Sequence, residues 1–85
     1  MKKSHRNVFG RVLRELRMEK GISQETLGFD AERDRTYISL LEKGRRSPTL
    51  DTMLALCHAL DVTLVHLAEK IEARLEENHD TDDPT

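Results

Sequence analysis

Arg35, Thr36 and Ser39 could place hydrogen-bonding side chains on one face of a short predicted helix. They lie between Gly21 and Gly44, a segment that the sequence predicts to be two short helices joined by a tight turn. An arginine guanidinium can bond both O6 and N7 of guanine, and threonine can offer its hydroxyl or methyl group to a base edge. The chemistry that these residues suit is recognition of base edges in the DNA major groove.

Candidate phosphate-binding residues flank this helix. Gln24 begins the preceding predicted helix, and helix N-termini bind phosphates through free N–H groups. Other candidates for phosphate contact are Tyr37, Lys43, Arg45 and Arg46. Such contacts position a protein on DNA and make its affinity salt-dependent without selecting a sequence. Leu40, beside the base-reading face, could touch a thymine methyl group. The alternative is that all these residues are ordinary solvated side chains.

Five predicted helices must position these side chains. Apolar residues at helical spacing predict a first helix that ends at Gly21. Ser23, Asp34, Thr49 and Thr63 are suitable N-caps for the four helices that follow. Because no stretch alternates as a strand would, the sequence predicts an all-α fold.

The fourth predicted helix carries an apolar stripe, which we expect to face the core. Its members are Leu50, Met53, Leu54, Cys57 and Leu60. Cys57 is expected to be a small core residue rather than a redox switch.

The fifth predicted helix is the candidate dimer element, because Leu64, Leu67, Ile71 and Leu75 lie on one stripe. A small domain has little core left to bury all four, and an exposed apolar patch favours a partner. Within this candidate dimer interface we expect Leu64 and Leu67 to reach towards the core, and Ile71 and Leu75 to meet the partner. The alternative is that the stripe only closes the monomer core.

The 85 residues predict a single domain. We expect a flexible basic N-terminus over residues 1–7, a DNA-binding and dimerisation domain over 8–77, and an acidic disordered tail over 78–85. Charge is unevenly distributed, since residues 1–46 hold 12 of the 14 Lys and Arg but only 7 of the 16 acidic residues. The basic half contains the candidate DNA-reading helix, which favours a nucleic-acid partner despite a net charge of −2.

Several other classes of protein are not favoured. The single cysteine allows no internal disulfide, no apolar run approaches a membrane span, and no signal-peptide core is present. We therefore expect a cytoplasmic protein. The four histidines have no metal-site spacing, and no nucleotide-binding motif or nucleophile–base set is found, so we expect no metal, no cofactor and no enzymatic activity.

The whole pattern over residues 8–71 closely resembles the helix-turn-helix domain of the Cro/cI-type (XRE) regulators. The residues that carry the resemblance are Leu13, Arg17, Gly21-Ile22-Ser23-Gln24, Leu27, Tyr37-Ile38-Ser39, Glu42-Lys43-Gly44, Pro48 and Leu60. The run from Asp34 to Ser39 is also similar to restriction–modification controller proteins, a short dimeric branch of that family. The resemblance implies a five-helix lambda-repressor-like fold and a homodimeric transcriptional regulator that binds a palindromic operator on double-stranded DNA.

The resemblance also implies roles for single residues. Gln24 matches a glutamine that clamps the DNA backbone, and Arg17 and Glu42 match a largely buried ion pair between the first and third helices. Two positions depart from the family pattern, which has glycine where this chain has Glu32 and an apolar residue where it has Arg33. Either the turn is reshaped or Ala31 fills the gap.

Two alternative functions remain open at this point. The first is an antitoxin-like regulator that also binds a basic partner protein through its C-terminal helix and the acidic residues between Glu76 and Asp83. The second is a small hydrolase, for which the sequence offers no catalytic set.

Overall fold

The computed structural model describes the backbone of residues 4–82 and the side chains of residues 4–77. Over this range the chain forms five helices and no strand, which confirms the predicted all-α class. The helices are α1 (His5–Lys20), α2 (Gln24–Ala31), α3 (Arg35–Glu42), α4 (Leu50–Leu60) and α5 (Leu64–Asp82). The two short helices α2 and α3 pack on each other, and α1 packs against both α3 and α5.

The predicted N-caps are confirmed, because each bonds the backbone of the first turn of its helix. The side chains of Ser23, Asp34 and Thr49 accept hydrogen bonds from backbone N–H groups at 3.0, 2.9 and 3.1 Å respectively. Such caps satisfy N–H groups that have no partner inside the helix. These short-range bonds set where α2, α3 and α4 begin.

Both ends of the chain are more helical than expected. We predicted flexibility over residues 1–7, but α1 begins at His5 because the Ser4 side chain caps it by accepting from the Asn7 N–H. Residues 1–3 lie outside the described part. At the other end, α5 continues past Asn78, where the disordered tail was predicted to begin, and residues 83–85 are again not described.

The core lies between α1 and the other helices. Its largest fully buried side chains are Val12, Leu13, Leu27, Ile38, Leu41 and Leu56. The core therefore holds the inward face of α3 rigidly, with the outward face left for another molecule.

The buried face of α4 differs from the predicted stripe. Leu50 is 57% exposed and Leu54 46% exposed, whereas Thr52 and Leu56 are buried. Most positions on α4 are apolar, so periodicity alone did not decide which side would be covered. Cys57 is buried as expected, and burial raises the pKa of its thiol.

A close approach of α1 to α3 occurs at Gly10, which the sequence analysis did not single out. A Cβ atom on Gly10 would lie 2.4 Å from the Leu41 carbonyl oxygen and 2.6 Å from that of Glu42. Only glycine allows α1 to pass this close to the end of α3. The short distance between α1 and the end of α3 thus depends on one missing side chain.

The turn between α2 and α3 keeps its shape without the family's glycine. Glu32 adopts the left-handed conformation at φ 56° and caps α2, and Ala31 is buried beneath it. Arg33 replaces an apolar contact with hydrogen bonds, since its Nε donates to the buried Thr52 hydroxyl at 3.3 Å and one guanidinium nitrogen donates to the Ala31 carbonyl. Ala31 therefore fills the gap, which is one of the two expected solutions, and Arg33 adds a hydrogen bond to Thr52 of α4.

In the described part of the chain, none of the helices is by itself long and apolar enough to cross a membrane. Together, α4 and residues 64–77 of α5 would be long and apolar enough to cross a membrane, but the two helices are bent by 105° relative to each other.

Candidate nucleic-acid interface

The outward face of α3 carries the predicted base-reading residues. Helical spacing places positions 35, 36, 39 and 40 on one side of α3, opposite the buried Ile38 and Leu41. The side chains of Arg35 and Thr36 are exposed, whereas Ser39 and Leu40 are half-buried. The structure thus brings the four candidates together at the start and middle of one short helix.

A buried ion pair holds α3 against α1. Arg17 Nε donates to Glu42 Oε2 at 2.6 Å and a second guanidinium nitrogen donates to Oε1 at 3.1 Å, and the side chains are 13% and 4% exposed. The hydrogen bond to Glu42 raises the pKa of Arg17 further above its already high usual value. Arg17 also donates to the Ile22 carbonyl at 2.9 Å, so it joins α1, the following turn and α3. This geometry is the ion pair that the resemblance implied.

The same carboxylate positions the predicted phosphate clamp. Gln24 Nε2 donates to Glu42 Oε1 at 3.0 Å. A side-chain amide has two N–H donors, so this bond orients the group and leaves the second N–H for a phosphate. Glu42 therefore fixes the side chain of Gln24 relative to α3.

The loop after α3 places cations beside this network. Lys43, Arg45 and Arg46 are exposed. Gly44 has a φ of +75°, and a side chain there would collide with Asn7, so the loop is held tightly against α1. Tyr37 differs from the other phosphate candidates, because its ring is half-buried and packs on the core.

The structure corrects part of the prediction for the candidate dimer stripe on α5. Leu67 is only 2% exposed within the monomer, which confirms that it reaches into the core and leaves it little surface for a partner. Leu64, expected in the core, is 37% exposed, and Ile71 and Leu75 are half-buried. Packing of α5 on α1 rotates the helix so that Leu67 points inward.

The structure adds exposed apolar residues that the sequence analysis had missed or assigned to the core. Val65 is 67% exposed next to Leu64, and Leu50 and Leu54 are exposed on α4. We call Leu50, Leu54, Leu64 and Val65 the α4–α5 apolar surface. Because exposed apolar side chains favour burial against another molecule, we add these four residues to the candidate interface.

The residues that the structure describes contain no group of His, Cys, Asp and Glu arranged to hold a metal ion.

Comparison with known proteins identifies the domain. Residues 8–69 match the helix-turn-helix domain family. The chain is 40% identical over 62 residues to the HTH-type transcriptional regulator y4dJ of Sinorhizobium fredii, a match that covers 73% of this chain and 80% of that protein. It is also 41% identical over 58 residues to the control protein C.BamHI of Bacillus amyloliquefaciens, covering 67% and 72% of the two chains.

A solved structure agrees with these relatives. The restriction-modification controller protein C.AhdI of Aeromonas hydrophila superposes with a TM-score of 0.71 at 45% identity, covering 73% of this chain and 94% of that one. Sequence and fold thus point to the same group of regulators.

Proposed function

Because the chain belongs to the helix-turn-helix family of transcriptional regulators, near its restriction–modification controller branch, we propose that it binds a palindromic DNA operator as a homodimer. The role is regulatory, and we assign it no enzymatic activity. This regulatory role places the protein in the cytoplasm, the compartment that holds the DNA.

One observation carries this proposal. The exposed Arg35 and Thr36 stand at the start of a helix whose position is fixed by the Arg17–Glu42 pair and by the buried Ile38. A rigid helix with guanidinium and hydroxyl groups at its N-terminal end suits insertion into the major groove. The free energy needed to order these groups on binding is reduced because the scaffold already holds them.

The phosphate contacts follow from the groups around α3. Gln24 is held by Glu42 at one side of the helix, and Lys43, Arg45 and Arg46 follow its other end. A DNA strand held at both places would set the angle at which α3 enters the groove. Base choice would then fall to Arg35, Thr36, Ser39 and Leu40.

Dimerisation is proposed because one such domain reads only a few base pairs. The α4–α5 apolar surface, with the half-buried Ile71 and Leu75, supplies apolar area for a second copy. A two-fold dimer presents two copies of α3 to half-sites about one helical turn apart. Neither the relatives nor the described part of the chain favours the antitoxin-like alternative.

Selection from a randomised duplex library, followed by fluorescence-anisotropy titration, tests the proposal. We expect the parent protein to enrich a palindromic site, and Arg35→Ala to weaken discrimination at one base pair of each half-site by about 1–3 kcal/mol. Lys70→Ala, which removes a cation from α5, is the control and should select the parent site. If the folded parent enriches no sequence, the proposed function is wrong.

A further inference from the structure

A cleft of about 340 Å³ lies on the outer side of α1, between the end of α3 and α5. We call it the α1 cleft. Its lining residues are Asn7, Val8, Arg11, Arg14, Glu42, Lys43 and Arg74. None of the base-reading residues belongs to it, so it is a separate feature of the surface.

The charges in the α1 cleft are unbalanced. Glu42 is already paired with Arg17 and bonded to Gln24, and Arg74 is paired with acidic residues of α1 and α5. Arg11 and Arg14 are exposed, and the structure gives neither an ion pair nor a side-chain hydrogen bond among the described residues.

Lys43 also lines the cleft and is exposed, and it likewise has no ion pair or side-chain hydrogen bond among the described residues. It adds a third cation to the cleft. Three like charges around one cleft repel each other unless an anion joins them. The cleft is therefore suited to an anionic ligand.

The position of the cleft indicates which anion it is suited to bind. Glu42 lines the cleft and also holds Gln24, the proposed phosphate clamp, and Lys43 belongs to both the cleft and the cationic loop. Along α1, Asn7, Arg11 and Arg14 recur at helical spacing, so their side chains follow one another on the same face. The cationic loop after α3 and the arginines of α1 therefore meet at this cleft through Lys43.

We propose that the α1 cleft binds phosphates of the DNA backbone, with Arg14 and Arg11 as phosphate-binding residues beyond the helix-turn-helix segment. This inference rests on the proposed function, since it extends the path of the same DNA strand. The C-terminal residues of the chain are acidic, and an acidic segment occupying the cleft is the competing outcome of the test.

The test measures how DNA affinity depends on salt. The full-length parent, Arg14→Gln and the double variant Arg11→Gln/Arg14→Gln are titrated by fluorescence anisotropy with one labelled duplex at about 50 to 200 mM KCl. Each lost phosphate contact should make the slope of log Kobs against log salt shallower by about 0.9. We therefore expect a change of about 0.9 for the single variant and about twice that for the double.

Lys70→Gln is the matched control, because it removes one positive charge from α5 outside the α1 cleft. It should keep the parent slope, which separates a local contact from a general loss of charge. Circular dichroism melts verify that every variant is folded, as expected for exposed positions.

The outcomes are distinguishable. If the parent binds DNA and the double variant keeps the full slope, this inference fails while the proposed function stands. A gain in affinity in the double variant would also overturn it and would assign the cleft to the acidic C-terminal residues. If the folded parent binds no duplex with salt-dependent affinity, the proposed function fails, and this inference fails with it.

Discussion

At the scale of single residues, Glu42 connects stability to recognition. Its two carboxylate oxygens accept from Arg17 and from Gln24, so one buried group joins the scaffold to the proposed phosphate clamp. A buried ion pair adds little net stability over apolar packing, but removal of one partner leaves an uncompensated charge. The pair therefore predicts that these two positions tolerate little change.

Arg17→Ala is expected to destabilise the domain by about 3–5 kcal/mol, because Glu42 would remain buried without a counter-charge. A thermal melt followed by circular dichroism measures the loss. Arg74→Ala removes the α5 member of a more exposed pair, with side chains 31% and 32% exposed, and should cost at most about 1 kcal/mol. If Arg17→Ala melted within a degree or two of the parent, the pair would not contribute as proposed.

At the scale of helices, the distance between α1 and α3 decides how α3 is presented. Gly10 faces two backbone carbonyl oxygens near the end of α3, and backbone atoms cannot move aside as a flexible side chain can. The Arg17–Glu42 bonds bridge the same two helices. In the proposed function, recognition therefore depends on a helix contact that contains none of the proposed base-reading residues.

Gly10→Ala should push α1 and α3 apart and destabilise the fold by about 1–3 kcal/mol. Urea unfolding of the variant and the parent gives the difference. Gly21→Asn is the control, since Gly21 is left-handed with nothing within 4 Å of a new Cβ atom and asparagine adopts this conformation readily. We expect less than about 1 kcal/mol for the control. Equal stability of Gly10→Ala and the parent would mean that the close approach has no energetic role.

At the scale of the whole molecule, charge is unevenly distributed along the chain. The basic half of the sequence contains α1 to α3 and most of the loop that follows, whereas the half that contains α4 and α5, residues 47–85, holds 9 acidic and 2 basic residues. Negative charge on α4 and α5 disfavours contact with DNA on that side. The arrangement suits a protein that binds DNA with one end and its own copy with the other.

The double variant Leu54→Glu/Val65→Glu should sediment as a monomer of 9.8 kDa, whereas the parent should sediment at twice that mass. Both side chains are exposed in the monomer, so charges there disrupt the α4–α5 apolar surface without entering the core. Analytical ultracentrifugation at tens of micromolar distinguishes the two masses. Phe29→Glu, at an 84% exposed apolar position on α2, is the control and should stay dimeric. A monomeric parent would refute the proposed homodimer.

The sequence by itself determined the features that depend on neighbouring residues. The N-caps Ser23, Asp34 and Thr49 act on N–H groups within three positions, so the starts of three helices followed from composition and spacing. The motif residues also predicted the family and the exposed position of Arg35 and Thr36. Local interactions of this kind need no knowledge of the rest of the fold.

Only the tertiary structure decided which faces are covered and which distant residues meet. It exposed Leu54 and Leu64, both expected to face the core, because the packing of α4 and α5 on the other helices sets their rotation. It also joined Arg33 to Thr52, and it placed Gly10 against backbone carbonyl oxygens at the end of α3. These contacts lie far apart in the chain, so helical periodicity cannot specify them. They arise when five helices compete to bury a limited apolar surface around one core.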